Sequence, residues 1–178
     1  MNIESTYDVP DTYVVFDLET TGLSPENGEI IEIGAIRMKN GLQYSRFHSY
    51  VKPVCGIPLR ITALTGITPS DVKDAPGIET ALPRFAEFVG SDTLIAHNAP
   101  FDCRFVRAYG AATGVELHNT VIDSLRLARK FVPIQKHKLE ILKDYFGITV
   151  ASHNALDDCH VTAHLVEFCR KRRLEAKA

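Results

Sequence analysis

The chain has 178 residues, of which 45% are hydrophobic, and a formal net charge of −2 at pH 7. A chain of this length buries roughly two thirds of its unfolded surface, so we expect one domain over residues 1–178 with a core over residues 12–173. The small net charge excludes a broad basic surface that follows a long duplex, so a nucleic acid would have to bind at a local site.

The sequence also disfavours membrane-spanning proteins, secreted proteins and proteins built on a zinc ribbon or a disulfide framework. No apolar stretch approaches the ~20 residues of a membrane-spanning helix, and the first residues lack the basic and apolar regions of a secretion signal. We therefore expect a cytoplasmic protein with no membrane partner. The four cysteines show no Cys-x-x-Cys pairing, so we expect free thiols rather than a zinc ribbon or a disulfide framework.

The first 51 residues predict three antiparallel strands. Residues 1–11 are polar and predict a loose lead-in to a first strand in the stretch of residues 13–22. A turn-rich loop leads to a β-branched strand over residues 30–38. Asn40-Gly41 is a strong hairpin signal, so a third strand should follow at once over residues 42–51.

The middle of the chain changes to alternating helices and strands. Residues 53–67 predict a connection with some apolar character, and Thr68-Pro69-Ser70-Asp71 resembles a capping box that begins a short helix. A helix over residues 77–89 then leads to a short buried strand over residues 93–96. A strand reached through helices is typical of a parallel crossover.

The next segment places an acid at the start of a helix. Asn98 is a candidate N-cap, Pro100 suits the first helical turn, and Asp102 follows just beyond the C-terminal end of the strand. Open α/β sheets usually bind their ligands at this edge. The alternative is that Asp102 only complements the helix dipole.

The remaining pattern completes a mixed α/β fold. It predicts a strand over residues 120–123 and helices over residues 124–131, 138–146 and 155–173. We therefore expect a five-stranded mixed sheet, with three antiparallel strands followed by parallel crossovers, and helices on both faces.

Two acids interrupt the first strand. Alternate residues of a strand share a face, so Asp17 and Glu19 point to one side while Val14, Phe16 and Leu18 point to the other. Carboxylates that face one point repel each other unless they are exposed to water or share a cation. The alternative is a half-exposed strand with a polar face.

The acidic residues, taken in order, resemble the motifs of the DEDDh family of 3′→5′ exonucleases, particularly the proofreading members in bacterial replicative DNA polymerases. The first motif is Asp-x-Glu-Thr-Thr-Gly, from Asp17 to Gly22. The second is Asn98 with Phe101 and Asp102, and the third is His153 with Asp158. The resemblance spans residues 17–158 and implies a ribonuclease H-like fold and a metal-dependent exonuclease.

The resemblance also implies roles for the catalytic residues. Two divalent ions, Mg²⁺ or Mn²⁺, are ligated by the carboxylates of Asp17, Glu19, Asp102 and Asp158. Hard ions prefer such oxygen ligands, and two of them stabilise the attacking and leaving oxygens of phosphodiester hydrolysis. His153 is implied as the general base, because an imidazole ordinarily titrates at about pH 6.5. Without Asp158 beside it, a solvated loop histidine would be the simpler interpretation.

The implied substrate is the 3′ end of single-stranded DNA, which is released as nucleoside 5′-monophosphates in proofreading or repair. Thr20 and Leu23 should contact the terminal nucleotide, with Leu23 against its base, and Asn98 and Phe101 should also contact the substrate. A DNA polymerase catalytic subunit is the implied protein partner. The alternatives are an RNA-processing exonuclease of the same family and a non-catalytic module that binds a polymerase.

Three other groups of residues receive structural interpretations. Asp123 follows a strand and is expected to cap a helix rather than to provide a fifth metal ligand. His160 and His164 are four residues apart, but without a further ligand they predict an exposed helix face. The basic residues at 170–173 are expected to complement the dipole at the end of a helix.

Overall fold

A computed structural model describes residues 1–150 and 153–176, and in this part of the chain six strands form one mixed sheet. Their order across the sheet is β1-β6-β5-β2-β3-β4. The strands are β1 (Asn2–Glu4), β2 (Thr12–Thr20), β3 (Ile30–Lys39), β4 (Leu42–Tyr50), β5 (Thr93–Ala96) and β6 (Thr120–Asp123). The pairs β2–β3 and β3–β4 are antiparallel, whereas β2–β5, β5–β6 and β1–β6 are parallel. The predicted antiparallel start and parallel crossovers are therefore confirmed.

The sheet has one strand more than the five predicted. The additional strand, β1, lies within residues 1–11, which were expected to form a loose lead-in. It pairs in parallel with β6, with Asn2 opposite Thr120 and Glu4 opposite Ile122. The three residues of β1 are largely exposed and carry no alternating apolar pattern, so the sequence gives no sign of the strand. The strand forms because β6 offers an edge with which it can pair.

The hairpin between β3 and β4 turns at Asn40 and Gly41, as predicted. Both residues have positive φ angles, 51° and 78°. A two-residue turn with two positive φ angles matches the right-handed twist of the flanking strands, and Asn-Gly adopts it with little strain.

Helices cover both faces of the sheet, as expected. They are α1 (Leu59–Thr65), α2 (Pro69–Val72), α3 (Ile78–Val89), α4 (Pro100–Thr113), α5 (Ser124–Phe131), α6 (Leu139–Phe146) and α7 (Ala155–Glu175). The capping box of Thr68 and Asp71 is present at the start of α2. Helix α1 was missed, because its seven residues lie in a segment rich in proline and glycine and bury only Ile61.

The apolar residues form a core on each face of the sheet. Val14, Phe16 and Leu18 of β2 contribute to the core on the side of α3 and α4. Tyr13 and Val15 contribute to the core on the opposite side, beneath α5, α6 and α7. The alternation predicted for β2 is therefore present, and Asp17 and Glu19 occupy the positions that follow Tyr13 and Val15 on the second face.

Candidate active site

One cleft is lined by every residue that the sequence predicted for the catalytic and substrate-binding site. Its volume is about 740 Å³, and it lies where β2 extends past the C-terminal end of its parallel neighbour, β5. The predicted residues that line it are Asp17, Glu19, Thr20, Leu23, Asn98, Phe101, Asp102, His153 and Asp158.

Strand β2 provides two of the carboxylates. Asp17 pairs with Gly34 of β3 and Glu19 pairs with Glu32, after which the register between the strands shifts at Thr20. Such a β-bulge bends a strand and redirects its side chains. Glu19 is only 8% exposed, so its carboxylate is held at the base of the cleft rather than in solvent.

Helix α4 places Asp102 against the free edge of β2. Strand β5 pairs only with residues 13–15 of β2, so the following backbone groups of β2 need other partners. The Leu18 amide donates a hydrogen bond to the Asp102 carboxylate, which is 2% exposed. Helix α4 therefore takes over from β5 as the partner of the β2 edge, and this contact brings the Asp102 carboxylate close to those of Asp17 and Glu19.

The predicted cap of α4 is wrong. Asn98 has a φ of 64°, and the N-cap position is Ala99, without a side-chain hydrogen bond. The Asp123 carboxylate instead accepts from the amides of Asn98 and Ala99, at 3.0 and 3.4 Å. Asp123 also accepts from the Leu125 amide at 3.0 Å, which confirms its predicted role as the cap of α5.

The start of α7 brings the last two predicted residues into the cleft. The His153 amide donates to Asp158 Oδ2 at 3.2 Å, and the Asn154 side chain caps the helix through the Asp157 amide. Ligand atoms of Glu19, His153 and Asp158 lie within 4.8 Å of one another, the spacing of a possible metal site. Asp17 and Asp102 line the same cleft but lie outside this closest group.

A glycine allows α7 to approach the sheet. A Cβ atom on Gly34 would lie 2.5 Å from the carbonyl carbon of Ala155, closer than any such contact can be. The Cys159 thiol also lies against β3, 3.4 Å from the carbonyl oxygen of Gly34. The absence of a side chain at Gly34 therefore sets how near Asp158 comes to Asp17 and Glu19.

A fully buried glutamate, Glu32, supports the same helix start and was overlooked in the sequence. Its carboxylate accepts from the Ala155 amide at 3.1 Å and contacts His48 Nε2 at 2.7 Å. An anion at a helix N-terminus is stabilised by the free amides and by the helix dipole. The signal was present, because Glu32 interrupts an otherwise apolar strand just as Asp17 and Glu19 do.

The clustered acids have raised pKa values in the absence of a cation. Burial, followed by repulsion from Asp102, Glu19 and Asp158, raises the pKa of Asp17 well above its ordinary value. Burial is also the largest cause for the others, raising the pKa of Glu19 to about 8, of Asp102 to about 8 and of Asp158 to about 6. Buried acids that repel one another and offer only hard oxygen atoms fit a divalent cation.

The rest of the cleft is largely apolar. Ile61 and Leu64 of α1 face it together with Phe101, whose ring lies 5.2 Å from that of Phe105. Leu23 stands at the mouth with 84% of its surface exposed. The contribution of α1 was missed because the helix itself was missed.

The other candidates have the structural positions expected of them. His160 and His164 are exposed on α7, and among the described residues neither belongs to a group with metal-ligand spacing. Arg170 forms ion pairs with Asp11 and Glu167, and Arg173 pairs with Asp8. The basic end of α7 therefore also ties the helix to the segment that precedes β2.

The fold and the cleft define a class of nuclease, and the profile of the exonuclease family named RNase T matches residues 14–166. The chain belongs to this family. The family is one of hydrolases, and the predicted resemblance to 3′→5′ exonucleases is confirmed.

The curated relatives of the chain include PolC-type DNA polymerases III. The chain is 42% identical over 174 residues to the PolC-type DNA polymerase III of Clostridium perfringens, which covers 97% of this chain. The chain spans only about 12% of that relative's length. It is thus similar to one segment of a much longer polymerase.

Two solved structures share the fold. Exonuclease X in complex with 5′ overhanging duplex DNA superposes with a TM-score of 0.74 at 29% identity, covering 89% of this chain and 92% of the other. Escherichia coli exonuclease I with a dA16 oligonucleotide has a TM-score of 0.80 at 19% identity, covering 93% and 42%. The ribonuclease H-like fold is therefore confirmed. Among the described residues, we find no helix that is long and apolar enough to span a membrane.

Proposed function

We propose that this chain is a single exonuclease domain over residues 1–178, with a core over residues 12–173, that removes nucleotides from the 3′ end of single-stranded DNA. Each cycle hydrolyses the terminal phosphodiester bond and releases a nucleoside 5′-monophosphate. The observation that carries the proposal is the convergence of Asp17, Glu19, Asp102 and Asp158 with His153 in one cleft.

The comparisons favour DNA over RNA and a role in proofreading or repair. The relatives are DNA polymerases, and exonuclease X was solved with DNA. A polymerase catalytic region is therefore the protein partner that we propose. The same carboxylates would also serve an RNA-processing exonuclease, so RNA is an arm of the test below.

We assign two Mg²⁺ or Mn²⁺ ions to the four carboxylates. When bound, such ions supply the positive charge that the attacking water and the leaving 3′-oxygen require. Glu19 and Asp158, which lie in the closest group, would hold the ion nearest the water. Asp102 would support the second ion, and Asp17 would be shared by both.

His153 would act as the general base. Its ring lies beside Glu19 and Asp158, where it can accept the proton of the attacking water. Its Nε2 atom is 3.8 Å from the Glu140 carboxylate, which would stabilise the imidazolium after proton transfer.

The apolar part of the cleft would hold the terminal nucleotide. Leu23 and Phe101 provide apolar surfaces against which a base can pack, and stacking on an aromatic ring such as that of Phe101 tolerates any base. The Thr20 hydroxyl already donates to the carbonyl of Gly22 at 2.7 Å, which fixes the loop beside the cleft. We assign substrate contacts to Thr20, Leu23, Asn98 and Phe101.

The proposal is tested by degradation of a 5′-labelled single-stranded DNA and a matched RNA. We expect nucleotides to be lost one at a time from the 3′ end of the DNA with Mg²⁺ or Mn²⁺, and no loss with EDTA. A blocked 3′ end should protect the strand. Asp17→Asn should remove activity, whereas Asp74→Asn, a substitution of an exposed acid outside the cleft, should retain it.

Each alternative has a distinct result. Faster degradation of RNA than of DNA would indicate the RNA-processing enzyme. Cutting of circular single strands would show an endonuclease, and a chain that is inactive with both metals would be the non-catalytic module. Full activity after exhaustive chelation would contradict the metal-dependent mechanism.

A further inference from the structure

A second cavity opens from the catalytic cleft, beside the loop of residues 132–138. Its volume is about 850 Å³. Residues that line both cavities form their common wall, and they are Leu23, His97, Asn98, Leu139 and His153. We call the second cavity the basic groove, because the residues that line it differ in charge from those of the cleft.

The basic groove carries three cations, from Arg129, Lys136 and Lys138, and one acid, Glu140. All three cations are exposed, and within the described part of the chain none of them forms an ion pair. The catalytic cleft has the opposite character, with four acids and a single arginine, Arg60. A polyanion that reaches the acids needs cations along its approach, and this groove supplies them at the edge of the cleft.

The loop that carries Lys136 and Lys138 is held in place by histidines. His97 Nε2 lies 2.8 Å from the carbonyl oxygen of His137 and must donate to it, because a carbonyl only accepts. His97 Nδ1 is 2.9 Å from the Ser124 hydroxyl and therefore accepts from it. The His137 ring closes the loop on the carbonyl of Val132 at 3.2 Å. The two lysines that flank His137 are thus attached to the end of β5, beside the catalytic acids.

We propose that the basic groove binds the phosphates of the DNA strand on the 5′ side of the bond that is cut. This inference rests on the proposed exonuclease function. A strand whose 3′-terminal nucleotide occupies the cleft continues only in its 5′ direction. The apolar wall of Ile61, Leu64 and Phe101 suits the terminal base, whereas the groove suits the charged backbone. Contacts to phosphate carry no sequence information, which suits an enzyme that degrades any sequence.

The test compares substrates that place different numbers of phosphates in the groove. They are a p-nitrophenyl ester of thymidine 5′-monophosphate, a trinucleotide and a 12-nucleotide single strand. The groove variant is Arg129→Gln with Lys136→Gln. The matched control is Lys130→Gln with Lys171→Gln, which removes the same charge from exposed residues that do not line the groove.

The loss of kcat/KM in the groove variant should grow with substrate length. Each phosphate contact to a single strand contributes about 0.7 to the magnitude of the slope of log affinity against log[salt]. Losing two contacts should therefore lower kcat/KM for the 12-mer about 25-fold at 0.1 M monovalent salt. For the 12-mer, the slope of log(kcat/KM) against log[salt] should therefore become shallower by about 1.4. The control variant should differ from the wild type by less than about twofold on every substrate.

Equal losses on all three substrates, or a 12-mer loss no larger than that of the control, would overturn the proposed groove. If the wild type hydrolyses none of the substrates, the proposed function fails separately. Fluorescence anisotropy of the labelled 12-mer still tests the groove in that case. Weaker and less salt-dependent binding by the groove variant than by the control would support it, and equal binding would refute it.

Discussion

Among the individual residues, His153 gives the sharpest test of the chemistry. Replacing it with alanine removes the proposed proton acceptor and leaves all four carboxylates in place, so His153→Ala should lower kcat by about 10²- to 10⁴-fold. Mg²⁺ should still raise the melting temperature, which is measured by thermal unfolding with and without the metal. His118→Ala, a change of an exposed histidine outside the cleft, is the control. A loss of metal affinity equal to the loss of turnover would instead make His153 a metal ligand.

The crowded carboxylates make a second prediction, about stability in EDTA. Burial and repulsion raise the pKa of Glu19 and of Asp102 to about 8, whereas unfolded carboxyl groups titrate near pH 4. Between these values the folded state holds protons that the unfolded state has released, so the free energy of unfolding falls as pH rises towards 8. From pH 6.5 to 8.5 we expect the melting temperature to drop, by about 4–8 °C if 2 kcal/mol is lost.

A metal addition and a substitution check the cause of that drop in melting temperature. Mg²⁺ or Mn²⁺ should largely remove the drop in melting temperature, because a bound cation compensates the carboxylate charges after the protons have dissociated. Asp17→Asn should raise the melting temperature at pH 8 in EDTA, whereas Asp74→Asn should not, because its carboxylate is exposed. Stability that is constant or rises over this pH range in EDTA would contradict the prediction.

The sequence revealed the acids and the histidine of the cleft better than the residues that support them. Asp17 and Glu19 were visible because acids in an apolar strand are anomalous, and the motif spacing then led to Asp102, His153 and Asp158. The hydrogen bond of Asp123 to the amides of Asn98 and Ala99 joins residues that are 24 and 25 positions apart. No local pattern encodes such a contact, so the cap of α4 was assigned to the nearer candidate, Asn98.

At the scale of elements, the contact between β3 and α7 determines the geometry of the cleft. A methyl group at Gly34 would meet the backbone of Ala155, which cannot move aside as a flexible side chain could. Gly34→Ala should therefore lower the free energy of unfolding by about 1–3 kcal/mol, as overpacking does, and weaken metal binding by displacing Asp158. Denaturant unfolding and metal titration measure the two effects.

Gly56→Ala is the matched control for this substitution, because a Cβ atom at residue 56 meets nothing within 4 Å. It should leave the stability within about 0.5 kcal/mol of the wild type. Wild-type stability and metal affinity in Gly34→Ala would show that α7 can shift without cost.

Helices and strands with a strong pattern of apolar, capping and turn residues were predicted well, whereas those without such a pattern were missed. Strand β6 and helix α5 have the predicted bounds, because apolar residues, a cap and turn residues agree there. Helix α1 and strand β1 were missed for a shared reason. Each is short and largely exposed, so its existence depends on packing against distant residues rather than on its own composition.

For the whole molecule, the two cores share a single sheet, so neither can form without it. β2 contributes Phe16 to one core and Val15 to the other. We therefore expect one cooperative unfolding transition, in which the calorimetric and van't Hoff enthalpies agree. Two separate transitions would show that residues 12–173 do not form the single unit that we propose.

The position of β2 also affects the order in which a growing chain acquires its properties. Ribosomes deliver about 5–20 residues per second, so β2, β3 and β4 can pair as neighbours long before β5 is available to the other edge of β2. Helix α7 follows later still, and it carries Asp158 and begins beside His153. A nascent chain therefore holds an incomplete centre until α7 has been synthesised, and the proposed catalytic centre is completed only when this helix docks against the sheet.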